Sequence, residues 1–430
     1  MNYATRVMNI LISIGSLGLG GAEKQAIWLA NRLSLEHKVT LFTYQGGERE
    51  CELSERVQWL KFPGKESPRK LELKLELDPA HQVGNLDGKS YFKNALTIRI
   101  IIKQKLRLTG KKLFRFSEKY KFDRLITFPI NVLDQIIAYW KVRQIVNDCN
   151  PDLVITFLFH DTINVGLASI IRYKRPKLIV GRRSPIGYGD NSRGLIHRVI
   201  LRLIYKLADV GVSNSKANVT SAIHDGLVES KIQVIPNFVT KPEFFARKIP
   251  RQGPLKMVCI ANMHWYKNHK NLLVAISKVV NHKEIVQLTL IGNGPLFKQI
   301  VMLSGELGVP VIFEGFVSNP ATKLDDFDAA ILVSYFEGSS NAVLEALVTG
   351  MPVISSDTGS VSELISSGAP IIVCDPDSPD SIAIAIANLK ENYDDYLKKA
   401  QDYSDFLEIE LSEDSVYKLW SALILDVTSV

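Results

Sequence analysis

The sequence predicts an α/β protein made of two doubly wound domains, each a parallel sheet flanked by helices. Three observations carry this. Its 430 residues are about twice the length of an ordinary domain. Short apolar runs alternate with amphipathic stretches, the pattern of successive βα units, and the series occurs twice. Between the two series, residues 240–254 hold Lys241-Pro242, Ile249-Pro250 and Gly253-Pro254, which break both periodicities and read as a hinge.

The first series opens with a strand over 8–14, a glycine-rich turn, a helix over 22–33 and a strand over 38–43. It resumes with strands over 152–157, 177–180, 209–213 and 232–237. The second series places strands over 256–261, 286–291, 311–313, 329–334, 352–355 and 371–373. A last helix, 412–425, carries Trp420 and several aliphatics and is expected to pack across the junction. The expected domains are therefore 1–245 and 255–410, with 411–430 as the bridging helix.

Composition narrows the class. With 46% hydrophobic and 23% charged residues, the chain is neither disordered nor collagen-like nor a coiled coil. Cys51, Cys149, Cys259 and Cys374 lie far apart with no C-x-x-C, so free buried thiols are expected and no metal site. The apolar stretch from Met8 to Ile14 is broken by Gly15, Gly18, Gly20 and Gly21, too short for a membrane span and without a cleavage site after it. A cytoplasmic protein is expected.

The net charge of +7 favours an anionic partner. Its source is local: between Lys89 and Arg124 stand twelve Lys or Arg against Glu118 and Asp123, and the rest of the chain is slightly acidic. Interleaved aliphatics and phenylalanines give this segment, within an insertion over about 65–123, the composition of a basic amphipathic helix at an anionic membrane surface. A solvated helical face over the first sheet has the same composition. Nucleic acid is not expected, since no helix-turn-helix, RNP or zinc motif accompanies the charge.

Two windows carry chemistry. Gly15-Ser-Leu-Gly-Leu-Gly-Gly-Ala-Glu23 joins the first strand to the first helix, where backbone N–H groups can meet an anion; a tight structural turn is the alternative. It is not a dinucleotide fingerprint, because Glu23 stands where the last glycine belongs. The second window runs from Ala329 to Ile354. There Glu337 follows a buried strand, Ser339 or Ser340 caps a helix, and Glu345 lies one turn in, i,i+4 from Asn341. That crevice is where open α/β sheets bind ligands, and the arrangement suits a diphosphate at the helix start with Glu345 on a ribose diol. Two acids serving only as helix-dipole partners is the alternative.

Taken in order, Gly20-Gly21-Ala22-Glu23, Val212-Ser-Asn-Ser215, Ile235-Pro-Asn237, Lys267 within Trp265–Leu272, Gly292-Asn-Gly294-Pro, Glu314-Gly-Phe316 and the Glu337-x7-Glu345 pair resemble the motif series of family 4 retaining glycosyltransferases, the group 1 glycosyl transferase type. The resemblance covers nearly the whole chain outside about 65–123. It implies the GT-B fold, two Rossmann-like domains facing a cleft, with the acceptor in the first and a nucleotide-diphospho-sugar, expected to be a UDP-sugar, in the second. By the same resemblance Glu337 contacts the transferred sugar, Glu345 holds the ribose and Lys267 neutralises the diphosphate. Gly20, Gly21, Asn262, Gly292, Gly294, Phe316, Gly338, Ser339, Ser340 and Asn341 complete the expected donor site. His160 is a candidate to face the sugar, and Arg182 and Arg183 are acceptor-side candidates.

One position departs from the family pattern. The Gly-Arg that many members carry before the lysine loop is Ala261-Asn262 here, so a cation is missing, with Lys270, Arg182 and Arg183 as candidates to replace it. The resemblance further implies a metal-independent reaction without cofactor that retains anomeric configuration. A glycan or polyprenyl-diphosphate-linked acceptor in surface polysaccharide assembly is expected, with peripheral membrane contact between Lys89 and Arg124. A nucleotide-sugar epimerase of the same shape and a non-catalytic partner subunit are the alternatives.

Overall fold

The computed structural model describes residues 6–18, 20–62, 138–183, 195–242, 253–279 and 285–429. Residues 1–62 and 145–430 form one compact unit and 63–144 another. Of the second unit the described residues, 138–144, are helical. The basic segment 89–124 and most of the hinge, 243–252, lie outside the described residues.

Runs of β-branched and aliphatic residues become buried strands because both faces of a parallel sheet are covered. In the first sheet these are β1 (Asn9–Ile14), β2 (Lys38–Thr43), β3 (Gln58–Lys61), β4 (Leu153–Thr156), β5 (Lys177–Arg182), β6 (Val210–Ser213) and β7 (Ile232–Val234). All pairs are parallel, in the order β3-β2-β1-β4-β5-β6-β7, with Ile10 beside Leu153 at the centre. The second sheet consists of β8 (Leu255–Ile260), β9 (Val286–Ile291), β10 (Val311–Gly315), β11 (Ala329–Leu332), β12 (Val353–Ser356) and β13 (Ile371–Cys374). Its order is β10-β9-β8-β11-β12-β13, again parallel throughout. Each sheet reverses its winding direction once, between β1 and β4 and between β8 and β11. Both reversals open a crevice at the strands' carboxyl ends.

Each sheet has its own core. Ile12, Ile155 and Ile179 of the first pack under Ile27 and Leu29 of α1 (Gly21–Leu33). Helices α2 (Leu195–Leu207) and α3 (Lys216–His224) follow β5 and β6. In the second half, α4 (His269–Lys278) and α5 (Asn341–Val348) follow β8 and β11, and Leu272, Leu273, Leu344 and Leu347 join that core.

The chain passes between the sheets after β7 and again between α6 (Tyr393–Glu410) and α7 (Glu413–Thr428). Tyr403 and Leu407 of α6 pack in the second core, whereas Val416, Trp420, Ile424 and Val427 of α7 pack in the first. Ser412 caps α7 by accepting from the Ser415 N–H at 3.1 Å. The two passages lie side by side: Val239 N–H donates to Leu411 O at 2.9 Å, and Glu413 accepts from Trp28 Nε1 at 2.9 Å and from Thr240 Oγ1 at 3.3 Å.

Two expectations are corrected. The edge strand β3 was not anticipated, because Gln58-Trp-Leu-Lys61 is short, polar at both ends and paired only with β2. The cysteines are free, but Cys51 is exposed rather than buried. Among the described residues no helix is long and apolar enough to cross a membrane.

Candidate functional site

A cleft of about 1370 Å³ is lined by residues from the carboxyl ends of both sheets. From the first come Gly20 and Gly21, where β1 turns into α1, and Arg183 after β5; from the second come Asn262, Lys267, Gly292, Phe316, Glu337 and the start of α5. Gly292 holds φ at +142°, and its bare Cα lies against the Ala261 carbonyl where a side chain would not fit.

Lys267 ends a short 3₁₀ turn, Trp265–Lys267, and Asn268 then takes the left-handed conformation (φ 55°) to start α4. The turn is fastened to the β11 loop: Asn268 Nδ2 donates to Val333 O at 3.2 Å, and Tyr335 N–H donates to Tyr266 O at 2.7 Å. So held, Lys267 Nζ pairs with Glu337 Oε1 at 2.5 Å, and the same oxygen accepts from Ser334 Oγ at 2.7 Å. Next to this pair, burial and the Lys267 charge push the His269 imidazole down to about 4, so it is neutral and adds no like charge.

Of the two expected caps, Ser340 starts α5, its Oγ accepting from Val343 N–H at 3.5 Å, while Ser339 Oγ meets Ser360 Oγ at 3.1 Å. Glu345, 8% exposed, projects into the cleft one turn later and pairs with Lys24 Nζ of α1 at 2.6 Å. A second polar chain also joins the first half to α5. Arg183 Nη1 donates to Asn237 Oδ1 at 2.7 Å, and Asn237 Nδ2 donates to Asn341 Oδ1 at 2.8 Å. Arg183 also stacks on Phe157, 4.5 Å from the ring centre, and burial pulls its guanidinium down to about 9. Gly338 lies directly on the Arg183 carbonyl, so any Cβ there would push the halves apart.

Four residues weighed for the site lie off the cleft. Arg182 points away from it, buried at 5% exposure, its guanidinium pairing with Asp225 at 2.8 Å and donating to Ser221 at 3.1 Å. His160 is exposed in the first turn after β4, edge-on to Phe159 at 5.9 Å, and is not among the lining residues. Gly294 supports Met263, whose backbone a Cβ would strike, and does not line the cleft. Lys270 is exposed and likewise does not line it.

Sequence reasoning missed Lys24, Asp161 and the approach of the Glu23 carboxylate to Asp161. The signal for Lys24 was its place in the first turn of a helix that begins in the cleft. Asp161, next to His160, is fully buried and accepts from Ser13 Oγ and from Leu158 N–H, each at 3.2 Å. Burial, reinforced by the Glu23 carboxylate, pushes Asp161 from its ordinary 3.8 to about 7. Glu23, on α1, is raised by desolvation against the lowering effects of its Ser16 hydrogen bond and the Arg49 charge, and the nearby Tyr44 hydroxyl is also pushed up by burial.

The consequence for stability has a definite sign. Between pH 4 and 7 the folded protein holds a proton on Asp161 that the unfolded chain has lost, so stability falls as pH rises through that window. Asp161→Asn keeps the shape and cannot ionise. Its melting temperature relative to wild type is expected to be higher at pH 8 than at pH 5, and an equal difference at both pH values would refute this.

Residues 254–392, spanning the second sheet from β8 through the helix after β13, match the family Glycosyl transferases group 1. The chain carries a group 1 glycosyl transferase domain. Glu345, Glu337, Lys267 and Asn262 all fall within that domain, whereas Lys24 and Arg183 reach its site from outside it. An uncharacterized glycosyltransferase of Methanocaldococcus jannaschii is 25% identical over 270 residues, 57% of this chain and 64% of that one. The N-acetylgalactosamine-N,N'-diacetylbacillosaminyl-diphospho-undecaprenol 4-alpha-N-acetylgalactosaminyltransferase of Campylobacter jejuni is 25% identical over 218 residues, 49% of this chain and 58% of that one. The chain thus spans somewhat less than two thirds of the length of these relatives. Among solved structures, Anabaena HepE in complex with UDP-glucose superposes with a TM-score of 0.69 at 16% identity, covering 97% of this chain and 100% of that one. This establishes the GT-B fold around the glycosyl transferase domain.

Proposed function

We propose that the chain is a retaining glycosyltransferase that moves a sugar from a nucleotide-diphospho-sugar, with UDP as the nucleotide, to a glycan or polyprenyl-diphosphate-linked acceptor. The observation that carries this reading is the double lysine–glutamate arrangement in one cleft. Lys267–Glu337 and Lys24–Glu345 place two cations and two carboxylates where the ends of both sheets meet. A carboxylate accepts paired sugar hydroxyls, and an oriented ammonium stabilises charge on a departing diphosphate.

In this mechanism Glu345 holds the ribose diol and Glu337 the hydroxyls of the transferred sugar, while the α5 amides and Lys267 receive the diphosphate. Lys267 is fixed beforehand by Glu337, so little reorganisation is needed when the glycosidic bond breaks. The leaving diphosphate takes the proton of the incoming hydroxyl on the same face, which retains configuration without a protein nucleophile or a metal. Arg183 approaches from the acceptor side, and His160, exposed off the cleft, has no part in this scheme. Lys24 and Arg183 supply the charge that Asn262 lacks.

The C. jejuni relative's name supports a lipid-linked acceptor, and the HepE complex supports a UDP-sugar donor. Surface polysaccharide assembly at the cytoplasmic membrane face, with 89–124 in contact with anionic lipid, completes the reading. The test is incubation of the full chain with UDP- and GDP-sugars, with and without a polyprenyl-diphosphate-linked glycan. Transfer that depends on the acceptor, with the anomeric configuration retained by NMR, is expected. Conversion of the donor alone would favour an epimerase, and neither binding nor turnover would favour a non-catalytic subunit.

A further inference from the structure

Helix α2 buries Leu201, Ile204 and Tyr205 against the first half, with Ile204 packed on Gly166. Its outer side is unusual for a surface helix. Val199, Leu203 and Leu207 are 58%, 49% and 39% exposed and recur at i, i+4 and i+8, a single row along the helix. Arg198, Arg202 and Lys206 form the adjacent row, each exposed and each one residue before an aliphatic. The row continues past the end of α2, where Arg175 donates to the Leu207 carbonyl. Beside Arg175 the chain exposes Ile171 at 49% and Tyr173 completely, flanked by Arg172 and Lys174. Together 171–175 and 195–207 hold six Lys or Arg and no Asp or Glu.

We propose that this face, α2 with the 171–175 turn, is a docking surface for an anionic lipid bilayer. The argument is chemical complementarity in two rows. Aliphatic side chains that remain in water gain by entering the acyl boundary, and cations one position away meet lipid phosphates at the same depth. Tyr173 has the apolar body and polar tip that suit the headgroup level. Nucleic acid would engage the cations and leave the aliphatic row facing water; a protein partner would need acidic and apolar rows in the same alternation. Asp209, which borders the patch, is already neutralised by Arg175 and Lys177 at 3.1 and 3.7 Å. The surface is independent of the donor-site reading and of 89–124.

Vesicle flotation of the full chain tests this, using phosphatidylcholine vesicles with and without 30% phosphatidylglycerol (roughly the anionic share that gives a strongly negative surface). Two variants are compared with wild type, Arg198→Gln/Arg202→Gln/Lys206→Gln and Val199→Ser/Leu203→Ser/Leu207→Ser, with circular dichroism melts to show that both fold. Wild type is expected to float with the anionic vesicles only. Each surface cation contributes about fivefold to partitioning, so the charge variant is expected to bind about a hundredfold more weakly. The aliphatic variant is expected to lose at least tenfold, a loss that purely electrostatic adsorption would not show. Equal flotation of folded variants and wild type, or failure of wild type to float, overturns the proposal. UDP binding measured on the same samples shows separately whether the donor site is intact.

Discussion

Lys267→Ala is expected to lower turnover by about 100- to 1000-fold, the usual cost of removing a donor aimed at developing negative charge. The fold should survive, because the turn that carries Lys267 is held by Asn268 and by the Tyr266 and Tyr335 backbones rather than by the lysine itself. What the variant loses is the 2.5 Å pair with Glu337, whose carboxylate keeps, among the described residues, the Ser334 hydroxyl. Glu337→Gln tests whether the two act together. If Lys267 and Glu337 work as one unit, the double variant is expected to be little slower than the worse single one, a strongly non-additive result. Rates measured at saturating donor decide this, and turnover of Lys267→Ala within threefold of wild type would remove the lysine from the reaction.

The second large effect is on binding. Glu345→Ala removes a charged hydrogen-bond acceptor from the proposed ribose site, which corresponds to about 10- to 100-fold weaker affinity for UDP. It also leaves Lys24 without its carboxylate in a partly buried place, where the side chain is 24% exposed. The two consequences separate in the double variant. Lys24→Met/Glu345→Ala is expected to recover melting temperature relative to Glu345→Ala but not UDP affinity, by calorimetry. If affinity returned with stability, Glu345 would be holding the two halves together rather than holding the ligand.

The sheets were legible because a parallel strand is buried on both faces and must be apolar along its length, as Ile10-Leu-Ile12 and Leu153-Val-Ile155 are. An edge such as Gln58-Trp-Leu-Lys61 has no such requirement. The second half of the site was legible because its parts are close in sequence: Glu337, Ser340 and Glu345 span one loop and one helix. Neighbours in sequence misled where the local geometry turns. Arg182 and Arg183 read as one basic pair, yet successive residues at a strand end point to opposite sides. One therefore meets Asp225 in the interior and the other meets Asn237 in the cleft. His160 and Asp161, neighbours on the helical turn Phe159–Asp161, also divide, one outward and one inward. Lys24 and Glu345 are 321 positions apart, and no local rule relates them. Their pairing exists only once both halves have folded and met.

The side-by-side passages at Val239 and Leu411 limit how the molecule can move. Two covalent connections tied to each other by the Val239–Leu411, Thr240–Glu413 and Lys241–Glu408 contacts act as a single pivot, so any relative motion that preserves them is a swing about that corner and not a parallel separation. Displacement then grows with distance from the pivot. A small angular change there would be geared up at the far rim of the cleft.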